Sequence, residues 1–322
     1  MNVQPSYASI QAALLALAAG LVMLSVGGEF LVAGATRLAR RWGMSPLLIG
    51  LTVVAFGTSM PEFFVGLLAL FQDHIDIMIG NVVGSNIANI GLILGLSALL
   101  TPLPVRYKTI TTELHLLLAA SLALFAIAWY GTFTRSMGLV FVAVLLLYTT
   151  LAYRVAVRRK NRTVVKDSDD DQTTSPSYPR ILFLIIGGLL LLSQGSDVFI
   201  SGAVDVARYL GVSELVIGLT MTAVGTSLPE MASCLAALRH RQSDLLVGNI
   251  VGSNIFNILM VLGCCAVARP YTFSPGLLTR DLPVMFAFSA LLIPILAYSH
   301  KLNRLHGLLF LAAYGGYIIL LI

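Results

Sequence analysis

The sequence predicts an all-α integral membrane protein of ten transmembrane helices, built as two inverted five-helix repeats with broken helices at the bilayer midplane. Three observations lead there. The 322 residues are 57% hydrophobic and only 11% charged, with a mean hydropathy of +0.90, whereas a soluble domain carries about a quarter charged residues. Apolar runs long enough to cross roughly 30 Å of hydrocarbon, about 20 residues each, recur along the whole chain. Finally, the chain resembles itself at one fixed offset, the mark of an internal duplication.

The first run, 9–36, has no basic segment before it, and Glu29 stands where a signal-peptide cleavage site would fall, so it reads as a retained helix. The next four spans are expected at 45–71, 78–101, 110–130 and 135–157. A polar stretch follows, "RVAVRRKNRTVVKDSDDDQTTSPSYPR" at 154–180, whose mixed charge and Ser, Thr and Pro content cannot bury a core. Its acidic run, Asp167 with Asp169, Asp170 and Asp171, reads as solvated loop, with a weak divalent-cation site as the sharper alternative. Spans six to ten are expected at 180–206, 212–238, 245–267, 282–299 and 305–321. The chain therefore divides into a first five-helix repeat at 1–157, a linker at 158–179 and a second repeat at 180–322.

Basic residues orient these spans. With the N-terminus outside, the cytoplasmic loops hold 16 of the 20 Lys and Arg residues, and the outer loops keep only Arg135, Arg208, Arg269 and Arg280. This positive-inside bias puts both termini outside and the linker in the cytoplasm, in a plasma membrane such as a bacterial inner membrane. It also accounts for the net charge of +5 without a nucleic-acid partner; the expected partners are small cations and the lipid bilayer. Cys234, Cys264 and Cys265 lie in apolar segments without paired-ligand spacing, which indicates packing instead of a disulfide framework or a zinc site.

The duplication carries the chemistry. Residues 27–62 lie over 195–230 without a gap and with half the positions identical, so "GTSMPE" at 57–62 repeats as "GTSLPE" at 225–230. At the same offset "GNVVGSNIANI" (80–90) lies over "GNIVGSNIFNI" (248–258). An odd number of spans in each half makes the second copy enter the membrane from the opposite side. Inverted repeats of this kind build secondary transporters, with polar groups gathered at the midplane.

Glu62 and Glu230 then lie within the bilayer, where each carboxylate opposes insertion by about 2.5 to 3.5 kcal/mol. No Lys or Arg near either one in its own helix offsets that, which leaves a bound metal ion or a proton. Pro61 and Pro229 disturb the helical hydrogen-bond ladder and free main-chain oxygens near Ala55 and Thr58, and near Ala223 and Thr226. The hydroxyls of Thr58, Ser59, Thr226 and Ser227 add further oxygens. Asn81, Ser85 and Asn89 share one helical face, as do Asn249, Ser253 and Asn257. Such an all-oxygen set suits Ca2+ or Na+, and with no His or Cys beside it disfavours zinc, copper or iron. For Asn81, Asn86, Asn249 and Asn254 the plainer alternative is hydrogen-bonded glue between helices, and Gly80, Gly84, Gly248 and Gly252 read as close-packing positions. Glu29 and Asp197 match across the repeat as pore-entrance or interfacial acids. Asp76 and Asp244 match as first-turn acids, and the five histidines follow no repeat.

These doubled motifs, over essentially the whole chain, resemble the calcium/cation antiporter superfamily, in particular the prokaryotic sodium/calcium exchangers. The resemblance implies that the two glutamates, with hydroxyl and carbonyl oxygens, hold one Ca2+ or several Na+ at overlapping sites. On matching positions the ligands become the Ala55 carbonyl, Thr58, Ser59, Glu62, Ser85 and Asn89, with the Ala223 carbonyl, Thr226, Ser227, Glu230, Ser253 and Asn257. It departs at Asn89 and Asn257, one or both of which are aspartate in family exchangers. The expected function is a secondary active Ca2+/Na+ antiporter, not an enzyme and without a cofactor. Its transported ions are Ca2+ and Na+, and it works by alternating access, with the helices bearing Gly34 and Gly202 as the sliding element. Proton-coupled exchange is the alternative, since a buried glutamate can carry H+, and a cation channel is a weaker one.

Overall fold

A computed structural model describes residues 6–163, 177–211, 225–299 and 301–321, with side chains of the helix that ends at Thr163 described as far as residue 155. In chain order the helices are α1 Ile10–Trp42, α2 Pro46–Thr58, α3 Met60–Phe71, α4 Ile75–Leu100, α5 Tyr107–Tyr130, α6 Arg135–Thr163, α7 Tyr178–Tyr209, α8 Leu228–Arg239, α9 Ser243–Ala268, α10 Leu277–Ser299 and α11 Arg304–Leu321. Among the described residues eight helices are long and apolar enough to cross a membrane. A ninth is counted when α2 and α3, which meet at a 40° bend, form one span. Nine of the ten expected spans are thus located. The seventh, 212–238, falls partly outside the described residues, and its described portion is α8.

Local signals explain several boundaries. Ser9 caps α1 by accepting the Ala12 N–H, and α1 ends where Gly43 turns left-handed at φ 65°. The helix runs six residues beyond its expected end because Arg37, Arg40 and Arg41 continue it, with Arg40 and Arg41 in the last turn, where cations complement the helix dipole. Ser45 caps α2 and Pro46 opens it. Wide π turns interrupt α4 at Asn89–Leu94 and α9 at Asn257–Leu262, positions related by the sequence repeat. Such turns are rare and gather at functional sites.

Burial separates centre from periphery. The most apolar windows of α4 and α9 are 78% and 89% buried, against 17% for α6 and 22% for α11. Leu15, Phe183, Leu190 and Ile319 are among the large apolar side chains left exposed, as a lipid-facing surface requires. Two-residue strands are the exceptions to an all-helical chain. Leu103–Pro104 pairs with Lys301–Leu302, and Thr132–Phe133 with Tyr271–Thr272. Each ladder joins a loop of one half to a loop of the other, and in both cases the two loops are ones that the distribution of basic residues assigns to the same side.

Two close backbone contacts position the centre. Along α1 and α7, a Cβ added to Gly20, Gly27 or Gly34 would stand 2.5 to 3.1 Å from the backbone N of Phe199, Leu192 or Ile185. Each seven-residue step up α1 is thus a seven-residue step down α7, and the helices run antiparallel. Gly188, Gly195 and Gly202 make the reciprocal approaches to Leu31, Leu24 and Leu17. Between α2 and α9, a Cβ on Gly50 would meet the Leu245 carbonyl at 2.4 Å, and one on Gly248 would meet the Leu47 carbonyl at 2.4 Å. Gly252 approaches Leu51 in the same way, so the packing role expected of Gly248 and Gly252 is met. Gly80 and Gly84 have no described neighbour within 4 Å of such a Cβ.

Overpacking a seam of this kind destabilises by about 1 to 3 kcal/mol. Gly188→Leu should therefore lower the thermal midpoint of the purified protein in detergent. Gly316→Ala, at a position with no described neighbour within 4 Å, should leave it within a degree or two.

Candidate functional site

The two acids occupy equivalent local structures. α2 stops at Thr58 and Ser59 forms the bend. Pro61 and Glu62 lie in the first turn of α3. Ser227, Pro229 and Glu230 repeat that arrangement at the start of α8. Proline fits the first helical turn, where its missing N–H loses no intrahelical bond. The acid beside it sits at the positive end of the helix dipole. Glu62 and Glu230 are both wholly buried.

Polar side chains from the opposite half hold the hydroxyls around them. Thr226 donates to Asn81 Oδ1 at 3.0 Å and lies 3.1 Å from the Ser85 hydroxyl, which in turn makes a long 3.5 Å contact to Glu62 Oε1. Thr58 makes the equivalent approaches to Asn249 Oδ1 at 3.3 Å and Ser253 at 3.4 Å. Asn81 then donates directly to the Glu62 main-chain carbonyl at 3.3 Å. Asn249 reaches the Glu230 carbonyl through Ser233, with bonds of 3.0 and 2.9 Å. Thr58, Ser59, Ser85, Ser227 and Ser253 are buried with the acids.

A second layer consists of amides. Asn89 and Asn257 each start a π turn and are fully buried. Asn89 Nδ2 donates to Asn254 Oδ1 at 2.9 Å and Asn257 Nδ2 to Asn86 Oδ1 at 3.1 Å.

Several buried oxygens at this centre have no hydrogen-bond partner among the described residues: Glu62 Oε2, both carboxylate oxygens of Glu230, the Ser59 and Ser227 hydroxyls, and Oδ1 of Asn89 and of Asn257. Leaving a buried polar atom unpaired costs about 1 to 3 kcal/mol, more when it is charged. Most of these are pure acceptors, so the group that satisfies them is a cation or a proton donor. The donor set is all oxygen, which fits a hard cation.

Not every expected group joins the centre. The Ala55 carbonyl accepts the Ser59 N–H at 3.0 Å and faces the Thr58 hydroxyl at 3.5 Å, so it is not freed from the helix as the proline argument anticipates; a carbonyl's second lone pair is what it has for a cation. Ala223 and the acidic run of the linker lie outside the described residues. Glu29 pairs with Arg239 at 3.1 Å and with His240, while its repeat partner Asp197 is exposed. Asp76 and Asp244 stand in the first turns of α4 and α9, as expected. The three cysteines are free, Cys234 and Cys265 being buried.

Some polar residues escaped the sequence reading. Ser233 bridges Asn249 to Glu230, yet its counterpart in the first half is Val65, so no repeat signal marks it. Glu113 accepts from Tyr148 at 3.1 Å and Asp281 from Tyr317 at 3.0 Å. These two acids share the offset that relates Glu62 to Glu230, so the repeat did hold a signal for them.

Comparison with known proteins shows the family. The family described as "Sodium/calcium exchanger protein" matches residues 12–154 and again 180–322. Inner membrane protein YrbG of Escherichia coli (strain K12) is 38% identical over 277 residues, 85% of this chain and 85% of its own length. Sodium/calcium exchanger MaX1 of Methanosarcina acetivorans is 29% identical over 341 residues, 95% of this chain and 97% of its own. Among solved structures, the sodium-calcium exchanger NCX_Mj soaked with 10 mM Na+ and 10 mM Sr2+ superposes with a TM-score of 0.81 at 31% identity, covering 97% of this chain and 99% of its own.

Removing one cross-half hydroxyl should be felt as lost stability. Thr226→Val keeps the shape but deprives Asn81 Oδ1 of its donor, and should destabilise the protein by about 1 to 3 kcal/mol, read as a lower thermal midpoint. Thr149→Val, whose hydroxyl bonds only main-chain carbonyls of its own helix, should shift it much less.

Proposed function

Because the chain belongs to the sodium/calcium exchanger protein family, we propose that it is a secondary active antiporter exchanging Ca2+ for Na+ at one site built on Glu62 and Glu230. The observation that carries this reading is a set of buried oxygens, contributed by both halves and including those of the two acids, that have no hydrogen-bond partner among the described residues. Two carboxylates balance the charge of one Ca2+. With the two carboxylates, the eight neutral oxygens of Thr58, Ser59, Ser85 and Asn89, and of Thr226, Ser227, Ser253 and Asn257, exceed the six to eight ligands that Ca2+ takes, so one Ca2+ uses only part of the set. The Ala55 and Ala223 carbonyls complete the proposed set.

Exchange follows from sharing. Ions that need the same two carboxylates occupy them in turn, so one ion must leave before another is carried back. In the proposed architecture ten helices form two inverted five-helix repeats, and the site lies at the midplane between them. The reciprocal contacts of α1 with α7 and of α2 with α9 support that symmetry, as does the family match to each half. Access alternates around the fixed site while α1 and α7, which bear Gly34 and Gly202, slide across the core. The termini face outward and the linker inward, across a plasma membrane.

A second reading, proton-coupled exchange, is favoured by one observation: amides stand at both 89 and 257, one or both of which are aspartate in family exchangers, so two protons can neutralise the whole site. Radioactive 45Ca2+ uptake into proteoliposomes decides between them. An outward Na+ gradient should drive uptake, and Glu62→Gln or Glu230→Gln should each abolish it. Uptake driven by a pH gradient alone would make the proton the counter-ion. Flux insensitive to both substitutions would refute the shared site. Orientation has its own test: in intact cells an impermeant maleimide should label Ser274→Cys directly, and Ser168→Cys only after permeabilisation.

A further inference from the structure

Four asparagines form a closed arrangement beside the two acids. Asn86 Nδ2 donates to the main-chain carbonyl of Asn254 at 3.3 Å, and Asn254 Nδ2 donates to that of Asn86 at 3.2 Å. Each of these side chains keeps one oxygen, and each oxygen is taken by the amide one turn further along the opposite helix. Asn254 Oδ1 accepts from Asn89, and Asn86 Oδ1 from Asn257. All four residues are at most 1% exposed.

The result is polarity. A carboxamide has an accepting end and a donating end of nearly the same size, so a buried asparagine facing a cation is useful in one orientation and repulsive in the other. Here the Nδ2 groups of Asn89 and Asn257 are occupied, and their Oδ1 atoms have no partner among the described residues. We infer that Asn86 and Asn254 are positioning residues that hold the Asn89 and Asn257 amides with oxygen toward the transported ion. This rests on the proposed site at Glu62 and Glu230, and it gives that site a device a carboxylate would not need. Both ends of an aspartate accept, whichever way it turns. With amides at both positions, orientation has to come from the neighbours, and each half supplies it to the other.

The test is a double-substitution cycle read by calorimetric Ca2+ binding to the purified full-length protein. Asn254→Leu removes the acceptor behind Asn89, and with that amide free to turn, Ca2+ affinity should fall about tenfold. Asn89→Asp makes orientation irrelevant, so in that background Asn254→Leu should lower affinity by less than about twofold. Equal losses in the two backgrounds would make Asn254 a structural residue and overturn the inference. Asn86→Leu with Asn257→Asp runs the same cycle from the other half and carries the test if a thermal melt finds Asn254→Leu unfolded. Glu62→Gln separates this inference from the site beneath it. Binding that survives Glu62→Gln removes the site itself. Binding lost in Glu62→Gln but unchanged in Asn254→Leu removes only the positioning role.

Discussion

Two carboxyl groups withdrawn wholly from water inside an apolar bundle are the constraint on which the rest of the structure depends. Burying one such ion costs several kcal/mol even after the protein relaxes, while a helix N-terminus returns about 2 kcal/mol at best. The bends before α3 and α8 therefore help Glu62 and Glu230 without satisfying them. No described cationic side chain bonds to either acid, and their neighbours are hydroxyls, amides and main-chain carbonyls. The imbalance is the property an ion carrier requires. A site that neutralised its own acids with a fixed arginine would gain stability and lose its reason to take up a cation.

The surroundings follow from the need to build that imbalance twice and bring the copies together. Glycines on α2 and α9 let the backbones touch, which places Asn249 and Ser253 against Thr58. Across the centre Asn81 and Ser85 meet Thr226. Most bonds at the centre run from one half to the other, while those that reach the two acids stay within a half. The copies have also diverged. Ser233 intervenes on one side where Asn81 acts directly on the other, and the contacts of Glu29 with Arg239 and His240 have no twin, because Phe71 and Gln72 occupy the corresponding positions.

Much of this was legible in the chain. "GTSMPE" and "GTSLPE" mark both an acid and a bend, since proline and a carboxylate inside an apolar run have few other uses. The periodicity of the "GSNIxN" segments sets Ser85 with Asn89, and Ser253 with Asn257, on single faces. What periodicity does not carry is partnership. It puts Asn81 and Asn89 on one stripe, yet the first is spent on a threonine and a carbonyl while the second keeps a free oxygen. Asn86 and Asn254 lie off the stripe, with hydrogen-bonded glue between helices as their plainer alternative; their bonds to each other's main chain exist only once the halves are docked. The end of α1 was misjudged for a different reason. Hydropathy falls at Arg37, but a helix does not stop where its surroundings become polar, and α1 continues to the left-handed Gly43.

The glycine notches shared by α1 and α7 have a bearing on how such a chain tolerates changes in length. An added residue in either helix turns everything beyond it by about 100° and carries the remaining notches away from the backbones they admit. Seven added residues bring the pattern back to within about 20°, because the notches themselves recur every seven. Along these two helices the chain therefore admits a change of length only in whole heptads.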